Sequence, residues 1–486
     1  MANLKSLTFN GVKWYLLGDG SNIIANFFIG LVLARLLTPN DYGTVGVYGI
    51  FFALANIFIN GGFSMSLIHK REITDVDCST AFWTNVVAGI LIYIIFFFTA
   101  PLIAVFFNIS ILTDIIRVSA IGLFIGSFTV VQTTLFNKRV DFRTTSVIRF
   151  TSSVFAGIFC IFLAYKGFGA WSLVLQGLTA GIISTVLLWY FSSWRPAFVF
   201  SWVSFRELFS FGGRILGTRL LECISGQSTS FVLGKKFSPS DLGYYEKGAS
   251  YARLVSTSLS NALFGVSFPV LTKVDNPDTL VVIYRKYMKV TSMGIFFLML
   301  LLFALGRPII VFLYSSKWEF SAVLMQIVIW ALMFSHIIGI NNSLFNVKGR
   351  SDILLKLQIY KTVIQLSLLI LAIPFGIYAV CFAEVIYYQI AIALCGHETK
   401  KIIGYGYIDQ IKDLAPYLFL SILSVVPAIL LTFTTLPNIV IILLGGIVSI
   451  IIYVLLLYLK KDQIFIQYFW DNTKIKAIRS RLRIKS

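Results

Sequence analysis

The residues best suited to binding chemistry lie in two consecutive apolar stretches near the middle of the chain. Glu246, Ser250, Arg253, Thr257 and Asn261 follow one another at steps of four, three, four and four residues, which places them in one stripe along a helix. An ionisable side chain held in lipid costs about 2.5 kcal/mol or more unless it is paired or hydrated. We therefore expect this stripe to face a polar ligand or water.

The preceding apolar stretch has a polar face of its own. Arg219 and Glu222 are three residues apart, and Ser225 and Thr229 continue the face at helical spacing. A guanidinium offers several donors in a fixed fork, which suits an anionic group such as a pyrophosphate. In the alternative reading, Arg219 and Glu222 form a structural pair within one helix.

Polar side chains on the first two apolar stretches complete the candidate site. Asp19, Asn22 and Asn26 share one helical face, and Asn56 with Asn60 forms another. We predict a substrate path lined by residues that can bind anions or hydroxyl groups: Arg219, Arg253, Lys247, Asn26 and Asn56. Three carboxylates are candidates for coupling transport to H⁺ or Na⁺: Asp19, Glu222 and Glu246. Alternatively, Glu246 and Lys247 lie at the outer membrane surface, where a charge costs little.

Composition defines the class of protein that holds these residues. The chain has 486 residues, of which 58% are hydrophobic and 13% charged, whereas soluble domains are about 25% charged. A helix needs about 20 mostly apolar residues to cross a bilayer, and the hydropathy pattern has room for about fourteen such segments. We predict an all-α polytopic membrane protein with about fourteen transmembrane helices.

The sequence gives no sign of a metal site, a cofactor or an enzyme. The five cysteines and three histidines are scattered without metal-ligand spacing, and no GxxxxGK[ST] phosphate loop is present. The outward loops are short, so they offer little material for a polymerase or ligase site. We expect a transporter with no cofactor and no metal.

An internal repeat organises the chain. The stretch LVLARLLTPNDYG at 31 to 43 returns as FVLGKKFSPSDLG at 231 to 243 without a gap. Two weaker echoes follow in the same order, Leu135-Phe136-Asn137 with Leu344-Phe345-Asn346, and Phe168-Gly169 with Phe375-Gly376. Duplicated units are a common plan of secondary transporters. We predict two parallel six-helix repeats followed by two C-terminal helices.

The positive charges indicate the expected topology. Most of the Lys and Arg residues behind the net charge of +19 lie in alternate connections and in the C-terminal tail, so the positive-inside rule puts both termini in the cytoplasm. A basic tail next to a span favours anionic lipid over nucleic acid. The expected division is a first lobe (1–193), a cytoplasmic interfacial linker (194–211), a second lobe (212–397), accessory helices (398–459) and the basic tail (460–486).

Several stretches resemble one known family, the bacterial polysaccharide exporters that flip lipid-linked oligosaccharide repeat units, especially the colanic acid and teichuronic acid branch. The resemblance covers nearly the whole chain. It is carried by these segments: GVKW at 11 to 14, LARLLTPNDYG at 33 to 43, GGFSMSLIHKREIT at 61 to 74, SWRPAFVFSWVSFRELFSFGGRILG at 193 to 217, FSPSDLGYYEKG at 237 to 248, KWEFSAVLMQI at 317 to 327 and NVKGRSDILLKLQI at 346 to 359.

The resemblance implies fourteen helices in two lobes plus two, a central cavity and alternating access. It also implies an undecaprenyl pyrophosphate-linked oligosaccharide as cargo, moved across the bacterial inner membrane for surface polysaccharide biosynthesis. Arg219 and Arg253 match by position the cationic cavity residues expected in such exporters. An ion-coupled multidrug exporter of the same superfamily and a membrane-embedded polysaccharide polymerase or ligase are the alternatives.

Overall fold

A computed structural model describes residues 20–60, 62–70, 72–271 and 276–466. Every regular element in these ranges is a helix, which confirms the all-α prediction. The chain forms two compact units, which meet in sequence between Glu246 and Lys247, within one helix. The sequence places its boundary earlier, at the 194–211 linker. Residues from Trp202 onward already belong to a continuous helix that runs to Lys236.

The helices of the first unit follow one another with short connections. They are α1 (Gly20–Leu36), α2 (Pro39–Asn60), α3 (Phe63–His69), α4 (Asp75–Phe107), α5 (Leu112–Ser127), α6 (Val130–Lys138), α7 (Phe142–Tyr165), α8 (Ala170–Phe191), α9 (Trp202–Lys236) and the start of α10 (Pro239–Leu271). One core cluster of this unit surrounds Phe82 of α4, against which Val131 and Leu208 pack.

The second unit contains the rest of α10 and all later helices. They are α11 (Pro277–Ala304), α12 (Gly306–Tyr314), α13 (Glu319–Leu332), α14 (Ser335–Val347), α15 (Ser351–Ala372), α16 (Ile377–Ile403), α17 (Tyr407–Leu431), α18 (Asn438–Leu459) and the single turn α19 (Gln463–Phe465). A fully buried amide joins four of them, because the Asn341 carbonyl oxygen accepts hydrogen bonds from Tyr284, Gln410 and Thr399.

The number of spans differs from the sequence count. Within the described residues, ten helices are long and apolar enough to cross a membrane, or eleven if the bent pair α5 and α6 counts as one span. The predicted fourteen is therefore not reached by this criterion, although the polytopic class is confirmed. The long helices α9 and α10 are absent from that set, and they are the helices that carry most of the candidate site residues.

The duplication extends to the breaks within helices. α5 and α6 meet at a 44° bend around residues 128 and 129, and α13 gives way to α14 at Met333 and Phe334. In each half the break lies in the segment that ends with the Leu-Phe-Asn echo. The two halves therefore share an irregularity as well as a hydropathy pattern.

The last two long helices are integrated into the second unit. Asp413 of α17 bonds Arg285 of α11 at 2.8 and 3.1 Å. The Tyr453 hydroxyl of α18 donates to the Met293 carbonyl at 2.7 Å, and its ring stacks on Phe297 at 4.4 Å. Both helices thus pack on α11 through polar and aromatic contacts.

Candidate functional site

The two copies of the repeated motif form the same capped helix start. In the first copy the Thr38 amide and hydroxyl donate to Asp41 Oδ2 at 2.9 and 2.7 Å. In the second copy the Ser238 amide and hydroxyl donate to Asp241 Oδ2 at 3.1 and 2.7 Å. A Ser or Thr cap followed three residues later by a carboxylate satisfies the free amides of a helix start. We call residues 38–43 and 238–243 the paired turns.

The paired turns touch each other through backbone, and the contact is reciprocal. A Cβ atom built on Gly43 would lie 1.6 Å from the Pro239 carbonyl oxygen, and one built on Gly243 would lie 1.9 Å from the Pro39 carbonyl oxygen. Only glycine permits such an approach. The equivalent residues of the two copies therefore meet in a nearly symmetric contact inside the first unit.

Neighbouring side chains extend this contact. Lys235 of α9 donates to the Phe106 carbonyl oxygen and lies 4.0 Å from the centre of the Phe106 ring. Phe231 packs edge-on against Phe107 at 5.6 Å. Leu242 lies at 0% exposure beneath Gly46, whose added Cβ would approach it to 3.2 Å. Four helices therefore pack against one another at the end that holds the paired turns: α2, α4, α9 and the start of α10.

Deeper along α9, the predicted polar face divides into an exposed part and a buried part. Arg219 and Glu222 are exposed, whereas Ser225 and Thr229 are buried. Arg219 lies about 25 Å along the helix from Lys236, a distance shorter than the thickness of a hydrocarbon layer, about 30 Å. A charge at that depth is stable where water reaches it, so this face of α9 fits an aqueous cavity better than lipid.

The α10 stripe is amphipathic in a similar way. Ser250 and Thr257 are exposed and bond back to carbonyl oxygens of their own helix, at Lys247 and Arg253, at 2.7 Å each. Arg253 is half-buried, about 21 Å along the helix from Pro239. The Asn261 side chain lies outside the described residues.

Lys247 does not lie on an exposed surface. It is 9% exposed, and its ammonium sits 4.5 Å from the centre of the Tyr314 ring and 5.9 Å from that of Trp318. The negative faces of aromatic rings stabilise a cation. The Lys247 side chain is therefore buried within the second unit, and its depth in the membrane stays a prediction.

The remaining predicted residues make local contacts in the first unit. Asn26 bonds Asn22 at 2.9 Å and accepts from the Ser153 hydroxyl at 2.9 Å. Asn56 is half-buried and donates to the Phe52 carbonyl oxygen at 3.0 Å. Glu246 accepts a hydrogen bond from the buried Ser230 hydroxyl. Asp19 lies outside the described residues.

Two buried charges lie outside the set of site residues predicted from the sequence. Lys361 of α15 is 5% exposed and Glu384 of α16 is 8% exposed. A local signal did exist in the series Gln358, Lys361, Thr362 and Gln365, whose steps of three, one and three residues fall on one helical face.

The site offers cations, carboxylates and amides rather than metal ligands. Over the described parts of the chain, no group of three or more His, Cys, Asp or Glu side chains is placed to hold a metal ion. The free cysteines Cys78, Cys160, Cys381 and Cys395 are buried and Cys223 is half-buried. The arrangement can bind an anionic, hydroxyl-rich ligand.

Fold and site together define a multi-pass helical membrane protein with a duplicated architecture and polar faces at membrane depth. A family model described as "Polysaccharide biosynthesis protein" matches residues 32–323, more than half of the chain. The chain belongs to this polysaccharide biosynthesis protein family, which confirms the resemblance noted in the sequence.

Curated relatives agree with this assignment, and a solved structure shares the fold. The chain is 23% identical over 366 residues to the teichuronic acid biosynthesis protein TuaB of Bacillus subtilis (strain 168), covering 73% of this chain and 74% of that protein. It is 24% identical over 370 residues to the lipopolysaccharide biosynthesis protein WzxC of Escherichia coli (strain K12), covering 74% of each. The lipid II flippase MurJ, in an inward closed conformation, shares the fold with a TM-score of 0.74 at 15% identity, covering 93% of this chain and 99% of that chain.

Proposed function

We propose that the protein flips a lipid-linked oligosaccharide, with undecaprenyl pyrophosphate as the lipid carrier, across the bacterial inner membrane for surface polysaccharide biosynthesis. The family membership and the functions for which TuaB, WzxC and MurJ are named support this class of cargo. The chain acts in this proposal as a transporter and not as an enzyme. Both termini lie in the cytoplasm, in accord with the distribution of Lys and Arg.

The observation that carries the proposal is the exposed charge on α9. Arg219 and Glu222 are accessible at a depth where lipid would otherwise surround them. A bilayer offers no comparable surroundings to a pyrophosphate and its sugars. We assign Arg219, Arg253 and Lys247 to the pyrophosphate and Asn26 and Asn56 to sugar hydroxyls, while the polyprenyl chain stays in lipid.

Alternating access follows from the paired turns. The contact between Gly43 and Gly243 closes one end of the first unit, and by the positive-inside rule this end faces outward. Release of the cargo at the outer leaflet then requires the paired turns to separate. The cycle alternates between this closed arrangement and one in which the backbones at Gly43 and Gly243 have moved apart.

A coupling ion would give the cycle its direction by binding the two arrangements unequally. Glu222 and Glu246 are the described carboxylates proposed for H⁺ or Na⁺, with Asp19 as the third candidate. Glu246 lies on the α10 turn that follows the paired turns and accepts from Ser230. The hydrogen bond between Ser230 and Glu246 would therefore change when α9 and α10 move relative to each other.

The test is a deletion of the gene in its host, with quantification of polyprenyl-linked sugars and surface polysaccharide. We expect lipid-linked oligosaccharide to accumulate and surface polymer to be lost. Wild type and Arg206→Ala should restore export, since Arg206 is an exposed residue near the start of the same helix α9. Arg219→Ala combined with Arg253→Ala should not.

Unchanged lipid-linked pools with raised sensitivity to cationic drugs would refute the flippase and favour the multidrug exporter. Lipid-linked single repeat units that reach the outer leaflet but are not joined would instead indicate a polymerase or ligase. Full rescue by the double arginine variant would refute the assignment of Arg219 and Arg253 to the substrate path. It would not refute the flippase proposal.

A further inference from the structure

A basic cavity lies in the second unit, away from the residues assigned to the cargo. Its volume is about 290 Å³, close to the lower end of the range for small-molecule pockets, about 300–1,000 Å³. Its walls come from the first turns of α11 and from the single turn α19: Val282, Arg285, Lys286, Lys289, Gln463 and Ile464.

Positive side chains make up half of the cavity lining. Three of its six lining side chains are cations. One carboxylate, that of Asp413, pairs with two of them, with Arg285 at 2.8 Å and Lys289 at 3.1 Å. The side chains of Arg285 and Lys289 are 46% and 25% exposed, so they remain accessible to a ligand. A lining with three cations and no carboxylate attracts an anion.

Arg285 is held in a fixed orientation. Its Nε and Nη2 atoms bond the two oxygens of Asp413, and its guanidinium lies 5.2 Å from the centre of the Tyr405 ring. The Tyr405 hydroxyl donates to the same carboxylate at 2.9 Å. Burial and the neighbouring Asp413 charge raise the pKa of Tyr405, so this donor keeps its proton. The Nη1 edge of Arg285 lies outside the Asp413 pair, and a fixed guanidinium edge suits a phosphate.

The cavity lies at the beginning of a helix that is longer than the hydrocarbon layer. The 28 residues of α11 make a helix about 42 Å long, which exceeds the hydrocarbon thickness of about 30 Å. One end of α11 can therefore extend into the headgroup layer, and its cationic first turns are the end for which this position costs least. Val282 on the cavity wall is 64% exposed, which provides an apolar surface for acyl chains beside the cations.

We propose that this basic cavity binds the phosphate of an anionic glycerophospholipid, such as phosphatidylglycerol, and so anchors the start of α11 to one leaflet. Lys286 and Lys289 supply charge, Arg285 supplies an oriented donor edge, and Gln463 can bond a glycerol hydroxyl. The assignment does not depend on the identity of the transported cargo.

The test measures the thermal unfolding midpoint of purified, delipidated protein in detergent as phosphatidylglycerol, phosphatidylcholine, undecaprenyl phosphate or inorganic phosphate is added. Phosphatidylglycerol should raise the midpoint of the wild type, and phosphatidylcholine should not. In Lys286→Gln with Lys289→Gln, the apparent affinity should fall by about fivefold per cation removed. Lys356→Gln is the matched control, because Lys356 is an exposed lysine on α15 that does not line the cavity.

Three results would overturn the proposal. Equal effects of phosphatidylglycerol and phosphatidylcholine would show that charge is not recognised. A response to undecaprenyl phosphate or inorganic phosphate alone would assign the cavity to cargo or to a free ion. Equal lipid affinity of the double variant and Lys356→Gln would place the lipid elsewhere. A midpoint measured without lipid separates loss of binding from loss of folding.

Discussion

Replacing Gly43 with alanine should open the paired turns. The added Cβ would start 1.6 Å from the Pro239 carbonyl oxygen, and real Cβ contacts are essentially never below 3.0 Å, so the two backbones must separate by about 1.4 Å. Overpacking of this kind costs about 1–3 kcal/mol. Since only the closed arrangement has the clash, the ratio of closed to open molecules should fall by about five- to 150-fold.

A cysteine reporter can measure this opening in purified protein. Thr44 is 3% exposed beside the paired turns, so Thr44→Cys should react slowly with a bulky maleimide while they are closed. Cys223 is the native cysteine that is not buried, so Cys223→Ser provides the background. Gly43→Ala should accelerate labelling of the Thr44→Cys thiol by several-fold or more.

Gly49→Ala is the matched control for Gly43→Ala. Gly49 lies on the same helix α2, and nothing lies within 4 Å of its added Cβ. Both substitutions favour the helix by up to about 1 kcal/mol, so any difference between them reports the contact at Gly43. Gly243→Ala should act like Gly43→Ala, because its Cβ would lie 1.9 Å from Pro39. Equal labelling rates for Gly43→Ala and Gly49→Ala would refute the reasoning.

Two further substitutions separate folding from transport. Asn341→Ala should lower the free energy of unfolding by about 2 kcal/mol or more, because the buried Tyr284 and Gln410 donors lose their acceptor. Ser367→Ala on α15, where the serine is exposed, should change the free energy of unfolding little. Equal unfolding midpoints of the two variants would contradict this account. Lys247→Met should leave the fold intact, because it replaces a buried cation beside Tyr314 with an apolar chain of similar length. The same variant should abolish export. Normal surface polysaccharide in this variant would exclude Lys247 from the proposed substrate path.

Much of this fold follows from local patterns in the sequence. Hydropathy and the low charge content define an all-α polytopic protein because each span must satisfy its backbone polar groups internally. The repeat between residues 31–43 and 231–243 indicates a duplication because it aligns without a gap and two weaker echoes follow in the same order. The stripes on α9 and α10 are visible because helical periodicity is a local property. The family is recognisable from the same motifs.

Other features were decided by tertiary structure alone. Contacts between distant segments of the chain decide three of these features: Gly43 meets Gly243, Lys247 packs on Tyr314, and Glu384 is buried. A sequence pattern gives the side of a helix on which a residue lies but not the neighbour that covers it. Packing decides whether that neighbour is lipid, water or another helix, and so decides which of the charged residues can reach a ligand.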